Sequence, residues 1–299
     1  MQGFSKNKEL TIWAIKESSE KLQKFILASQ PDAFVQVNVG QIQAGNILQG
    51  KKIVITGGGS GLGYAMAKKF ISEGAEVVIS GRNADKLKVA AEKIGSSNCK
   101  TVVADVCDVA HSMDFLENAK ELLDGRIDCL VSNAGVSLHE NIYTNVTVEG
   151  FDKQFDTKFR AGYFLGKAFL EMKTKETQPN AELLYITSET GDQVYDIPYG
   201  MTNAALNSMV GAFSRRVYQQ GIRVNAIAPG VTLTEMTRDY AESSDGNLYR
   251  NCASGRTFLP EEVAEVACFL LSDASKCISG EVIHCNAGNH LKAFWDESK

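Results

Sequence analysis

The chain's 299 residues, 44% of them apolar, are enough to bury a large core, and a single α/β domain can occupy this length. A formal net charge of -5, a pI near 5.5 and no run of Lys or Arg argue against a nucleic-acid partner. No apolar run approaches the roughly 20 residues a bilayer span requires and no charged-then-apolar leader opens the chain, so no membrane partner and a cytoplasmic location are expected.

Residues 1–50 read as an extension. Asn7 to Ser29 carries a moderately amphipathic helical pattern that closes at Gln30-Pro31, and Val35-Gln-Val-Asn-Val39 alternates as a short strand or arm. Residues 51–299 read as one unit in which strands and helices alternate. The strands are expected at Ile53–Thr56, Glu76–Ser80, Lys100–Ala104, Cys129–Ser132, Glu182–Thr187, Arg223–Ala228 and Glu281–Cys285. The helices are expected near 62–73, 83–94, 109–123, 150–175, 199–219 and 260–271. Such alternation requires right-handed crossovers, which predicts an α/β, Rossmann-like, doubly wound, parallel seven-stranded sheet with helices on both faces.

The first strand runs into Thr56-Gly-Gly-Gly-Ser-Gly-Leu-Gly63. Glycines at 57, 61 and 63 clear the backbone for a pyrophosphate, and the helix that follows aims its free N–H groups at the anion. Tyr64 and Ala65 stand where a nucleoside-triphosphate loop needs Lys and Ser or Thr, so the expected ligand is a dinucleotide. The seven cysteines (99, 107, 129, 252, 268, 277 and 285) form no C-x-x-C pair and have no His at zinc spacing, which predicts reduced, mostly buried thiols and no metal site.

From Lys51 to about Leu291 the sequence resembles the short-chain dehydrogenase/reductase family, on motifs that occur in the family's order. Gly57, Gly59, Ser60, Gly61, Leu62 and Gly63 match the cofactor loop. Asp105-Val106 matches the adenine-contacting pair, Asn133-Ala134-Gly135 the N-A-G turn, and Pro229-Gly230 with Thr232 and Thr234 the nicotinamide-side segment. All of these follow the carboxyl ends of strands, where open α/β sheets bind ligands. After the second strand, Gly81-Arg82-Asn83 offers a cation and no carboxylate, which favours NADP(H) over NAD(H).

The resemblance implies that Ser188 holds the substrate oxygen and that Tyr199 passes the proton; Tyr199 and Asn203 also border the cofactor. The family's lysine, one helical turn after the tyrosine, is replaced by Asn203, and its helix asparagine by Lys158. Two readings follow. In one, a reciprocal exchange lets Lys158 restore the ammonium near Tyr199 while Asn203 supplies the amide. In the other, Lys158 faces solvent or a subunit contact, and the chain is a dinucleotide-binding protein with degraded catalysis, acting as a sensor, scaffold or partner subunit.

Ser137-Leu-His139-Glu140, Glu189 to Asp196 and the stretch Thr232 to Phe258 are expected to line the substrate end. Tyr195 is expected to line the pocket or the surface. Glu189, Asp192 and His139 suit the hydroxyls of a small polar substrate, and Arg238, Arg250 and Arg256 of the last stretch suit an anion. Assembly as a homodimer or homotetramer through the helices at 150–175 and 199–219 and the last strand is a further implication of the resemblance.

Overall fold

The structure, a computed structural model, describes residues 36, 45–177, 179–241 and 246–291. The helix expected over 7–29 lies outside them, as does all but Gln36 of the arm expected over 35–39. All seven expected strands form within one residue of their expected ends: β1 Lys52–Thr56, β2 Glu76–Gly81, β3 Cys99–Val103, β4 Cys129–Ser132, β5 Ala181–Ile186, β6 Ile222–Pro229 and β7 Val282–Cys285. They pair in parallel in the order β3-β2-β1-β4-β5-β6-β7. The chain runs outward from β1 to β3 and then crosses back to β4, so the neighbours β1 and β4 form a topological switch point, where this class of sheet opens a crevice.

Among the described residues seven α-helices cover the sheet: α1 Gly61–Ser72, α2 Ala84–Ile94, α3 Ser112–Leu122, α4 Val148–Gln154, α5 Ala161–Lys173, α6 Pro198–Val217 and α7 Pro260–Leu271. Their ends follow local chemistry. The Asn83 Oδ1 accepts the Lys86 N–H at 2.9 Å to start α2, and Gly95, at φ 67°, ends it in the left-handed conformation. Proline opens both α6 and α7, where its missing N–H costs nothing.

Alternate residues of each central strand feed opposite cores. Ile53 and Ile55 of β1 pack with Met66 and Phe70 of α1, whereas Val54 packs in the core that contains Leu116, Phe169 and Leu206 of α3, α5 and α6. No described helix is long and apolar enough to cross a membrane. All seven cysteines are free; Cys129 and Cys268 are buried, Cys277 is exposed and the others are half-buried, so fewer are fully buried than expected.

The single helix expected over 150–175 is in fact α4 and α5 joined by a π-helical turn, Phe155–Arg160. The wider turn inserts a residue without ending the helix, and the buried side chain it contains is Lys158. Beyond it, α5 approaches β5 closely at Gly162 and Gly166. The Tyr185 hydroxyl donates to the Gly162 carbonyl at 3.1 Å, and a Cβ built on Gly166 would lie 1.9 Å from that hydroxyl oxygen.

Gly166→Ala is therefore expected to destabilise the fold by about 3 kcal/mol through overpacking. Thermal unfolding of Gly166→Ala, Tyr185→Phe and the double variant should show the alanine costing less once the hydroxyl is gone, whereas additive costs would refute the contact.

Candidate active site

The crevice is organised by hydrogen bonds between the turns after β1 and β4. The Thr56 hydroxyl accepts the N–H groups of Asn133 and Ala134 at 3.0 and 3.1 Å, and the Asn133 carboxamide donates to the carbonyls of Thr56 and Gly57 at 3.0 and 3.2 Å. Asn133-Ala134-Gly135 is thereby fixed against the glycine loop.

The loop itself fits a dinucleotide pyrophosphate. A Cβ on Gly63 would lie 2.3 Å from the Gly57 carbonyl oxygen, so the turn closes this tightly only with glycine there. Gly61 adopts φ 53°, and the side chain of Thr234 sits over it, so a Cβ there would lie 3.2 Å from Thr234 Cγ2. Ser60 is the N-cap of α1, yet its hydroxyl caps no N–H, and the first turn carries no acidic residue. The leading N–H groups are thus left for an anion.

A cleft of about 360 Å³ opens here, lined by Ser60, Gly61, Tyr64, Thr234 and Arg238. Gly59 lies along α2 and Leu62 packs on the core. Arg82 is exposed at the end of β2, while Asp105 and Val106 line a separate cleft of about 330 Å³ beyond β3.

The larger cleft, about 500 Å³, lies at the carboxyl ends of β5 and β6 and contains Ser188, Tyr199, Pro229, Gly230 and Thr232 in its wall. Ser188 follows β5 and is buried, its hydroxyl accepting the Thr190 N–H at 3.3 Å. Tyr199 stands in the first turn of α6. Burial pushes its phenol above the ordinary value, and hydrogen bonding with the Ser188 and Asn203 side chains pulls it partly back. Ser188 and Tyr199, 11 positions apart in the sequence, thus stand together in the wall of this cleft. Asn203 is wholly buried. Its amide donates to the Tyr199 carbonyl at 2.7 Å, and its Oδ1 has no partner among the described residues.

Lys158 points inward rather than to solvent. Its ammonium donates to the Ile186 carbonyl at 2.5 Å, two residues before Ser188, and its stem lies against Gly135, where a Cβ would come within 3.0 Å of Cδ. Burial alone pushes this ammonium down to about 8. The leading influences on the Tyr199 phenol are burial, Ser188, Asn203 and the phenols of Tyr240 and Tyr195, and the Lys158 charge is not among them.

Tyr195, Tyr240 and Tyr249 also line the large cleft, as do His139, Glu140, Glu189 and Asp196. The arginines expected on the substrate side do not. Arg238 faces the phosphate-side cleft, and Arg256 makes a two-bond ion pair with Glu262, both bonds 2.8 Å, which ties the segment before α7 to its first turn. Asn289, which the sequence did not single out, lines the cleft from beyond β7 and donates to Glu189 Oε1 at 3.0 Å.

Residues 57–290 match the sequence profile described as enoyl-(acyl carrier protein) reductase, a short-chain dehydrogenase group. The chain is similar to the 3-oxoacyl-[acyl-carrier-protein] reductase FabG of Aquifex aeolicus, 29% identical over 81% of this chain and 98% of that protein. It is 32% identical to the oxidoreductase UcpA of Salmonella typhimurium, over 82% of this chain and 96% of the relative. The crystal structure of a 3-ketoacyl-(acyl-carrier-protein) reductase from Brucella melitensis complexed with NADH superposes with a TM-score of 0.72, at 26% identity over 82% of this chain and 100% of that one. With this match over most of its length and the shared seven-stranded sheet, the chain belongs to the short-chain dehydrogenase/reductase family of oxidoreductases.

Proposed function

We propose that the chain is an NADP(H)-dependent carbonyl reductase or alcohol dehydrogenase acting on a small, polar substrate. The observation that carries this reading is the placement of Ser188 and Tyr199 in the wall of one 500 Å³ cleft, at the same end of the sheet as an uncapped, glycine-rich turn. The cofactor, when bound, supplies or accepts the hydride at the substrate carbon. Gly57, Gly61, Gly63 and the first N–H groups of α1 would hold its pyrophosphate, with Asn133 and Thr234 flanking. Arg82, free of a partner among the described residues and with no carboxylate in its turn, favours a 2′-phosphate and hence NADP(H).

In the reducing direction Ser188 donates a hydrogen bond to the carbonyl oxygen, stabilising the negative charge that develops there, and Tyr199 delivers the proton that completes the alcohol. A phenol held above its ordinary value is protonated at neutral pH, which suits carbonyl reduction better than alcohol oxidation. Lys158 supplies a buried cation at the carboxyl end of β5, and Asn203 supplies the amide beside Tyr199, in exchange for the family's usual arrangement. Tyr163 and Phe164 of α5 and Met201 of α6 are exposed on the helices through which a second copy would dock to form a homodimer or homotetramer.

Tyr199→Phe should lower turnover of a carbonyl substrate by about 10²- to 10⁴-fold, with a much smaller loss of NADPH binding; steady-state rates near wild type would refute the assignment. The charge on Lys158 exists below about pH 8 and is lost above it, because burial lowers its folded-state value. Reduction that depends on this cation should therefore fall by about tenfold per pH unit above that point, while Tyr199 loses its proton only at higher pH. A kcat/KM profile in which Lys158→Met retains the same descending limb would exclude Lys158 as its source.

A further inference from the structure

The lining of the large cleft is acidic. Among the described residues, its charged groups are Glu140, Glu189 and Asp196, and no Lys or Arg lines it. Glu189 differs from the other two because it is buried, only 5% exposed, directly after Ser188 in a short 3-10 turn. Oε1 accepts a hydrogen bond from Asn289 at 3.0 Å, but Oε2 is buried with no partner among the described residues. An orphaned carboxylate oxygen costs more when buried than in water, and burial raises this carboxyl above its ordinary value against hydrogen bonding from Asn289 and Asn286, so a donor supplied by a bound ligand would stabilise it.

The carboxylate is also held in place. Asn289 is anchored in turn, its Oδ1 accepting the Ala253 N–H at 3.0 Å and its carbonyl accepting Gln193 Nε2 at 3.5 Å. At the far end of the same 3-10 turn, Asp192 accepts hydrogen bonds from Asn207 at 2.9 Å and pairs with His284 at 2.7 Å. Glu140, elsewhere in the lining, repeats the pattern. Its Oε1 accepts Gln154 Nε2 at 2.7 Å, and its Oε2 is buried and unpartnered among the described residues.

We infer that Glu189 is a substrate-recognition residue whose free oxygen accepts a hydrogen bond from a hydroxyl or ammonium group carried by the carbonyl substrate, so that the cleft selects hydroxylated or amino ketones and rejects anions. This deepens the reductase reading and rests on it for the placement of the carbonyl at Ser188 and Tyr199. A site built around a polar group discriminates against analogues that lack the matching group, because it then stays unpaired.

The test compares butanone with its near-isosteres hydroxyacetone and aminoacetone, and with erythrulose, which carries hydroxyls on both sides of the carbonyl. Calorimetry with the oxidised cofactor present reads binding without turnover, and NADPH oxidation reads reduction. The full-length wild-type chain should bind at least one donor-bearing ketone about tenfold or more tightly than butanone, and Glu189→Gln should cut that ratio by about tenfold. Preference for hydroxyacetone or erythrulose would identify a hydroxyl as the donor, and preference for aminoacetone an ammonium. Equal affinities in the wild type, or a preference that survives in Glu189→Gln, would overturn the inference while leaving the reductase reading intact if butanone is reduced. Glu189-dependent binding without reduction of any ketone would support recognition by Glu189 and overturn the reductase reading, and no binding of any ketone would overturn both.

Discussion

The site depends first on the tie between Thr56 and Asn133. One hydroxyl accepting two N–H groups, and one carboxamide donating to two carbonyls, close the gap between the turns after β1 and β4, the strands on either side of the topological switch point. These groups would otherwise be unpaired where the parallel ladder ends, so pairing them with each other satisfies the backbone and fixes the mouth of the crevice. The glycine loop is then held open toward the ligand from one side, and the N-A-G turn presents Gly135 to the stem of Lys158 on the other.

Burying a lysine next to this turn is costly because an ammonium loses its hydration, and the drop in its folded-state value to about 8 reflects that cost. The π-helical turn is the local device that turns the side chain inward, and the Ile186 carbonyl is its hydrogen-bond partner. Asn203 carries the opposite imbalance, a buried carbonyl oxygen with no donor among the described residues. A donor with unused capacity on one element and an unpaired acceptor on another thus both lie buried at the carboxyl end of the sheet.

The sheet was legible in the sequence because most strands are short apolar runs bounded by turn residues, and some helices carry their own caps, as with Asn83 and Gly95 around α2. The glycine loop was equally legible, since its turn needs glycine at fixed positions, and Ser188 and Tyr199, both singled out in the sequence, line one cleft. The break between α4 and α5 was not, because a π turn inserts one residue into a helical pattern that stays amphipathic on both sides. For the same reason residue type alone could not tell whether Lys158 faces inward. Asn289 was missed because it orients Glu189 from 100 positions away, with no motif connecting the two. The tie of Arg256 to Glu262 was not legible either, because Glu262 is also a helix cap, a second duty that spacing alone does not reveal.

The central claim, that the turn at Gly57–Gly63 and the exposed Arg82 together select a phosphorylated nicotinamide dinucleotide, is tested most directly by titrating the purified chain with NADPH and with NADH while following nicotinamide fluorescence. Saturable binding of NADPH about tenfold or more tighter than NADH is the predicted result, as expected for one arginine–phosphate pairing. No binding of either dinucleotide would contradict the claim and leave the family's fold without its chemistry.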